Sequence, residues 1–294
     1  MTGSDAPRLI SNAREWLRRS RLNVNRAPRI GLALGGGFAR GMAHVGVLRV
    51  FEKHGIPIHA IAGVSAGAMC AAAYASGTTP DEIEAIARTM RFKDVARWTI
   101  SRLGFAGSDR MALFLRRLLK TTDFEKMRLP LAVVASDLTT GKPVVFRERG
   151  DVILPIRSSC SYPGLFTPIR YNGYCLVDGM VSMEVPARPL RDMGCTHIVS
   201  VSIPDSTDCL DPRSVFSVIT RCFQIMNGRT QTEWRRWSNL VISPDVAGLS
   251  WDSFEQCSCL VEAGEKAAEA AVTEIRRWLP ETLSPPALPV PATA

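Results

Sequence analysis

The pentapeptide Gly63-Val64-Ser65-Ala66-Gly67 sets one hydroxyl between two glycines. A serine in this pattern, between a strand and a helix, occupies a sharp turn that lifts its Oγ to the end of a sheet. Gly63 and Gly67 make that elbow, because strand and helix approach closely there. The turn also puts the serine at a helix N-terminus, whose dipole favours a developing negative charge. The chemistry that follows is attack on an acyl carbon, with Ser65 as the nucleophile.

Upstream lies Gly35-Gly36-Gly37-Phe38-Ala39-Arg40-Gly41. Such a turn could cradle a nucleotide, but the dinucleotide fingerprint needs its third glycine where Arg40 stands, and no Gly-Lys-Ser/Thr follows. A serine elbow one strand–helix unit later selects another reading. The N–H groups of Gly35, Gly36 and Gly37 converge on a carbonyl oxygen as it becomes negative. Arg40 adds positive charge or pins the loop.

A hydroxyl nucleophile needs a base. His44 begins a helix, His54 ends one, and His59 and His197 open strands, so each reads as structural. The order Ser65, then Asp137 or Asp178, then His197 would nominally suit an α/β-hydrolase triad. Asp178 is better placed alone: Val177-Asp178-Gly179 follows the apolar run Tyr174-Cys175-Leu176. A carboxylate acts directly on a serine when the site is dry enough to raise its basicity. The same three residues also fit an ordinary Asp-Gly turn.

The elements that must position these groups follow from apolar runs. Short continuous runs at 30–34, 59–62, 131–135, 197–203 and 240–242 predict buried parallel strands. Residues 144–146 read as an edge strand. Helical spacing predicts helices at 44–54, 68–75, 108–120 and 254–278, and Thr79-Pro80-Asp81-Glu82 is a helix start. Strand, glycine turn and helix, repeated, predict an α/β fold with a mostly parallel central sheet flanked by helices. Three segments are expected: a basic arm over 1–28, one domain over 29–279, and a disordered tail over 280–294 with five prolines.

The chain has 294 residues, 46% hydrophobic and 22% charged, which is globular. A net charge of +8 attracts polyanions. The basic segments lack the interleaved aromatics of nucleic-acid binders, so no nucleic-acid partner is expected. An anionic membrane surface remains a partner for the arm, which carries Arg8, Arg14, Arg18, Arg19, Arg21 and Arg26 beside Trp16 and Leu17. That arm reads equally as a solvated terminus. The scattered cysteines contain no CxxC pair, so they give no zinc site and the thiols read as reduced; no metal or other cofactor is expected. No apolar leader is apparent, and the location expected is cytoplasmic, with a peripheral place on the inner membrane face as the variant.

Taken together, these glycine, serine and Asp-Gly motifs resemble the patatin-like phospholipase family, in its bacterial branch related to the neuropathy target esterase catalytic domain. The resemblance extends over about residues 29 to 275. It is supported by Ala43-His44-Val45-Gly46-Val47-Leu48, by the segment from Ser159 to Phe166, and by Leu260-Val261-Glu262-Ala263-Gly264. It implies a three-layer hydrolase with a Ser65–Asp178 dyad and no histidine, Gly35, Gly36, Gly37 and Arg40 at the oxyanion, and Gly179 in the dyad motif. The implied substrates are phospholipids, lysophospholipids or other fatty-acyl esters. Met180 stands where the family usually has Gly or Ala. That departure keeps a second reading open, a catalytically inactive module at a membrane surface. The acyl chain needs a groove, for which Phe38, Met69, Phe105, Met111, Phe114 and Leu165 are the expected residues.

Overall fold

The computed structural model describes residues 28–99, 101–204, 214–249 and 254–280. All but the edges of the arm and the proline-rich tail, together with Cys209, lie outside these residues. Apolar runs of four or five residues become β1 (Ile30–Leu34) and β2 (Ala60–Gly63). Each is followed by a glycine-bearing turn and a helix, α1 (Ala43–Lys53) and α2 (Ala66–Ser76). Gly55 stops the α1 segment at φ 61°, with its N–H on the Glu52 carbonyl. Next comes α3 (Pro80–Thr89). Its start is a capping box in which Thr79 Oγ1 accepts from the Glu82 N–H and the Glu82 carboxylate accepts from the Thr79 N–H.

The chain continues through α4 (Phe92–Val95), β3 (Arg97–Trp98), β4 (Gly104–Gly107) and α5 (Asp109–Leu118). It then forms β5 (Leu131–Asp137), β6 (Pro143–Arg147), α6 (Ile153–Ser159), β7 (Gly164–Phe166), β8 (Ile169–Tyr171) and β9 (Tyr174–Asp178). The last elements are α7 (Ala187–Asp192), β10 (His197–Val201), α8 (Val215–Arg235), β11 (Leu240–Ile242) and α9 (Cys257–Arg276).

The main sheet runs β11-β10-β1-β2-β5-β9-β8, with β6 added beside β5. Its first five strands are parallel, and β9, β8 and β6 pair antiparallel. The expected α/β fold is thus present, with an antiparallel extension. Side chains alternate across β1, β2 and β5. Ile30, Leu32, Leu34, Ile61, Leu131 and Val133 face the larger core, while Ala33, Ala60, Ala62 and Ala132 face the other side. The larger core holds residues of α1, α2, α3 and α9. Residues of α7 and Trp234 of α8 cover the alanine face. Helices therefore lie on both faces of the sheet.

The two glycine-bearing helix segments singled out in the sequence meet each other. A Cβ at Gly46 of α1 would collide with the Val261 carbonyl, and one at Gly264 of α9 with the Ala43 carbonyl. Glycine on both sides lets the two backbones touch, and this fixes α1 behind the glycine turn. A second sheet, β3-β4-β7, was not anticipated. Its strands are two to four residues long, too short for periodicity to reveal. Among the described residues, no helix is long and apolar enough to cross a membrane.

Candidate active site

The register of the parallel strands brings the predicted groups together. Leu34 pairs with Gly63, so the turns leaving β1 and β2 emerge side by side at the sheet's carboxyl edge. Ser65 stands between β2 and α2 with φ 55° and ψ −126°. That conformation is strained for a residue with a Cβ and holds only because its surroundings over-determine it. A Cβ at Gly63 or Gly67 would collide with backbone, of α2 in one case and of β1 in the other. Both elbow glycines are sterically required. The Ser65 N–H donates to Ser159 Oγ at 2.8 Å, and Ser159 Oγ donates to the Val134 carbonyl at 2.6 Å. Ser159, at the end of α6, thus ties the elbow to β5. The sequence marked the Ser159 segment but gave no sign of this bond.

Ser65 Oγ donates to Asp178 Oδ2 at 2.6 Å. Asp178 is the last residue of β9, completely buried, and its Oδ1 accepts the Met180 N–H at 3.0 Å. Burial pushes its carboxyl pKa up to about 7, against the lowering pull of those two hydrogen bonds. Gly179 is glycine for steric reasons, since a Cβ there would strike the Val134 carbonyl. Met180 thus supports the Asp178 carboxylate through its backbone, while its side chain lines the cleft outside.

The glycine turn divides its tasks. The Gly35 N–H is committed to the Val201 carbonyl at 3.0 Å, so it is not an oxyanion donor here. Its Cα is closely surrounded: an added Cβ would stand 3.1 Å from Val185 Cγ2. His44 is buried, and burial lowers its pKa to about 4. The neutral ring therefore donates from Nε2 to the Gly35 carbonyl at 2.8 Å. The Gly36 N–H makes a long 3.4 Å bond to the Glu184 carbonyl, and the Gly37 N–H has no protein acceptor among the described residues. Arg40 is buried and directs Nε and Nη2 to the Leu249 carbonyl, which pins the loop.

The other candidates lie elsewhere. His197 starts β10 opposite Ile30, at the end of the strands away from Ser65, and stacks on Trp278. His54 pairs with Glu269 at 2.7 Å. Asp137 accepts from Thr139, Thr140 and Cys175 and closes a turn.

Ser65 sits where two pockets meet. One, enclosing about 800 Å³ up to its open mouth, is apolar and includes Phe38, Met69, Met111 and Phe114. Two further residues expected there do not line it: Leu165 is packed in the core, and the Phe105 side chain is exposed. The other pocket, of about 780 Å³, is more polar and includes Gly36, Gly37, Glu184, Thr220, Gln224 and Asn227. The last three come from α8, which sequence periodicity did not reveal. Phe38, Ser65 and Tyr162 line both pockets.

The chain is similar to several known proteins. An NTE family protein of unassigned role from Mycobacterium tuberculosis is 32% identical over 189 residues, 63% of this chain and 52% of that one. The lysophospholipase NTE1 of Cryptococcus neoformans is 32% identical over 192 residues, 63% of this chain and 12% of that one. The chain thus spans about half the length of the first relative and a small part of the second. The crystal structure of VipD from Legionella pneumophila superposes with a TM-score of 0.48 and 12% identity, over 84% of this chain and 67% of that one. The profile of the patatin-like phospholipases matches residues 32–191, more than half of the chain, and the protein belongs to that family.

Proposed function

We propose that the protein is a serine acyl hydrolase of lipid esters that works through a Ser65–Asp178 dyad and an acyl-enzyme. The observation that carries this reading is the 2.6 Å bond from Ser65 Oγ to a buried carboxylate whose pKa lies near 7. A base is most effective when its pKa is close to the working pH. The acyl chain occupies the apolar pocket and the alcohol portion the polar cleft, with the ester at Ser65 between them. Its carbonyl oxygen turns toward the Gly37 N–H, and displaces the Glu184 carbonyl from the Gly36 N–H.

Ser65 Oγ then bonds to the acyl carbon and its proton passes to Asp178 Oδ2. The negative oxygen is held by these N–H groups and by the N-terminus of α2. The C–O bond to the alcohol breaks, and the alcohol leaves with the proton from Asp178. Water takes the vacated position, gives its proton to Asp178 and attacks the acyl carbon. Return of that proton to Ser65 releases the fatty acid. Phospholipids, lysophospholipids and simpler fatty-acyl esters all suit a site with one apolar and one polar pocket. The lysophospholipase activity for which the fungal relative is named lies within this class.

Fluorophosphonate labelling read by intact mass tests the proposal. One adduct is expected on the wild-type chain and none on Ser65→Ala. No adduct on the wild type, with or without vesicles, would favour instead an inactive membrane-surface module.

A further inference from the structure

Two surfaces beside the pockets are apolar where they meet solvent. One is the hairpin of β3 and β4. Trp98 is 69% exposed, and Leu103 and Phe105 are each 61% exposed. Trp98 leans on Phe92, with ring centroids 5.5 Å apart, and Phe92 lines the apolar pocket. Arg97 and Arg102 are exposed on the same hairpin, and no Asp or Glu occurs from residue 95 to residue 108.

The other surface is α8. Its inward side chains, Thr220, Gln224 and Asn227, are polar and line the polar cleft. Its outward side carries Val218, Cys222, Ile225 and Met226, all exposed. Their spacing of four, three and one makes a single stripe on the helix. A helix on an ordinary water-facing surface is arranged the other way round. Arg221 and Arg229 lie on the same helix, and no acidic residue occurs from 215 to 232.

β7 joins the two surfaces. It pairs with β4 through Gly104↔Gly164 and Ala106↔Phe166, and Gly164 lies against Ile219 of α8. Tyr162, which lines both pockets, meets Phe223 of α8 edge to face at 5.8 Å.

We infer that the β3–β4 hairpin and the outer stripe of α8 form a rim that docks the enzyme on an anionic lipid bilayer. Aromatic and aliphatic side chains enter the interfacial zone, and arginines without acidic neighbours meet the lipid phosphates and carboxylates. The rim borders the walls of both pockets. A bilayer seated on it supplies an acyl chain to the apolar pocket without passage through water. This inference rests on the acyl-hydrolase reading for its purpose, but its test does not.

The full chain carrying Ser65→Ala is mixed with vesicles of phosphatidylcholine, with and without phosphatidylserine, and the fraction floating with lipid is measured. Binding is expected to require phosphatidylserine and to weaken with salt. It should fall about tenfold or more in each of two pairs, Trp98→Ser with Phe105→Ser and Ile225→Ser with Met226→Ser. Cooperative thermal melts show that both pairs fold. With Ser65 restored, both should keep the turnover of a water-soluble short-chain ester. Vesicle binding unchanged in both pairs overturns the proposal, as does binding indifferent to phosphatidylserine. So does a wild-type dimer in native mass spectrometry that the pairs convert to monomer, since a second copy then covers the rim. Absence of all ester turnover in the wild type would sink the dyad reading, while flotation still decides the docking face.

Discussion

Asp137 ends β5 and Asp178 ends β9, and these strands pair so that Asp178 lies opposite Ala135 and Asp137 opposite Leu176. Both side chains are buried. Asp137 accepts bonds from the Cys175, Thr139 and Thr140 N–H groups and from the Thr140 hydroxyl. These donors, the Cys175 N–H foremost, hold its pKa below the ordinary value. Asp178 has two donors, Ser65 Oγ and the Met180 N–H, and burial outweighs them. Burial dominates at one carboxylate and donor supply at the other, and this separates their pKa values although they lie two residues apart on paired strands. The second carboxylate is the one that reaches the strained serine.

The largest effect that could break this contrast is expected from Asp178→Asn. The amide keeps the shape and the bond from Met180 but cannot take a proton. Turnover should fall about 10³–10⁴-fold, a loss typical of a removed general base. The same variant should be more stable at neutral pH. Asp178 has a folded pKa raised from 3.8 to about 7, so the folded state holds the proton more tightly than the unfolded state. Its ionisation therefore costs stability progressively from about pH 4 to about pH 7, and the cost is constant above. Three units at about 1.4 kcal/mol each set an upper bound of about 4 kcal/mol. Melting curves of the variant and the wild type should diverge as pH rises through that window. Convergence there would mean that Asp178 is not destabilised by burial.

Next in size is the pH dependence of catalysis. In the proposed mechanism only ionised Asp178 accepts the serine proton, so kcat/KM should climb about tenfold per pH unit below 7 and level off above it. A carboxylate base gives this profile without any histidine. A midpoint near pH 4 would show an acid as well solvated as an ordinary surface carboxylate.

Asp137→Asn should give the mirror image of Asp178→Asn. The amide NH₂ would face N–H and hydroxyl donors where the carboxylate now accepts. Stability should drop about 1–3 kcal/mol by denaturant unfolding. Activity measured well below the melting range should stay within about threefold of wild type, a change worth less than 1 kcal/mol. A loss comparable to that of Asp178→Asn would end the division of roles.

Part of this site is legible in the chain and part is not. Gly63, Ser65 and Gly67 announce the elbow because sterics permit few other residues there. The parallel strands read clearly because residues such as Ile30–Leu34 are buried throughout. Asp178 could not be separated from a turn residue by its neighbours in sequence. What selects it is its burial and the small number of its donors, both set by distant segments. The same holds for Gly35, whose N–H is claimed by Val201, 166 positions away. Ser159 sits in a short helix containing Pro155, and its role depends on meeting Ser65 and Val134. α8 escaped because its polar side faces a pocket and its apolar side faces out, which inverts the usual inference from pattern to burial.

The smallest effect is expected from His197→Gln, and its smallness is informative. In chain order, His197 is the one histidine that could complete a triad with Ser65 and an acid. In space, it pairs with Ile30 at the start of β1, whereas Ser65 follows Gly63, which pairs with Leu34 at the end. Four strand steps of about 3.3 Å separate those levels, roughly 13 Å, far beyond a proton transfer. Its ring stacks on Trp278 at 4.9 Å instead, and Thr196 Oγ1 lies 3.1 Å from Nδ1. Glutamine should cost about 1 kcal/mol of stability from the lost stacking and leave the pH profile of kcat/KM in place. A profile that lost its midpoint near 7 in this variant would transfer the basic role from Asp178 to an imidazole. The contrast between the two aspartates would then describe structure and not catalysis.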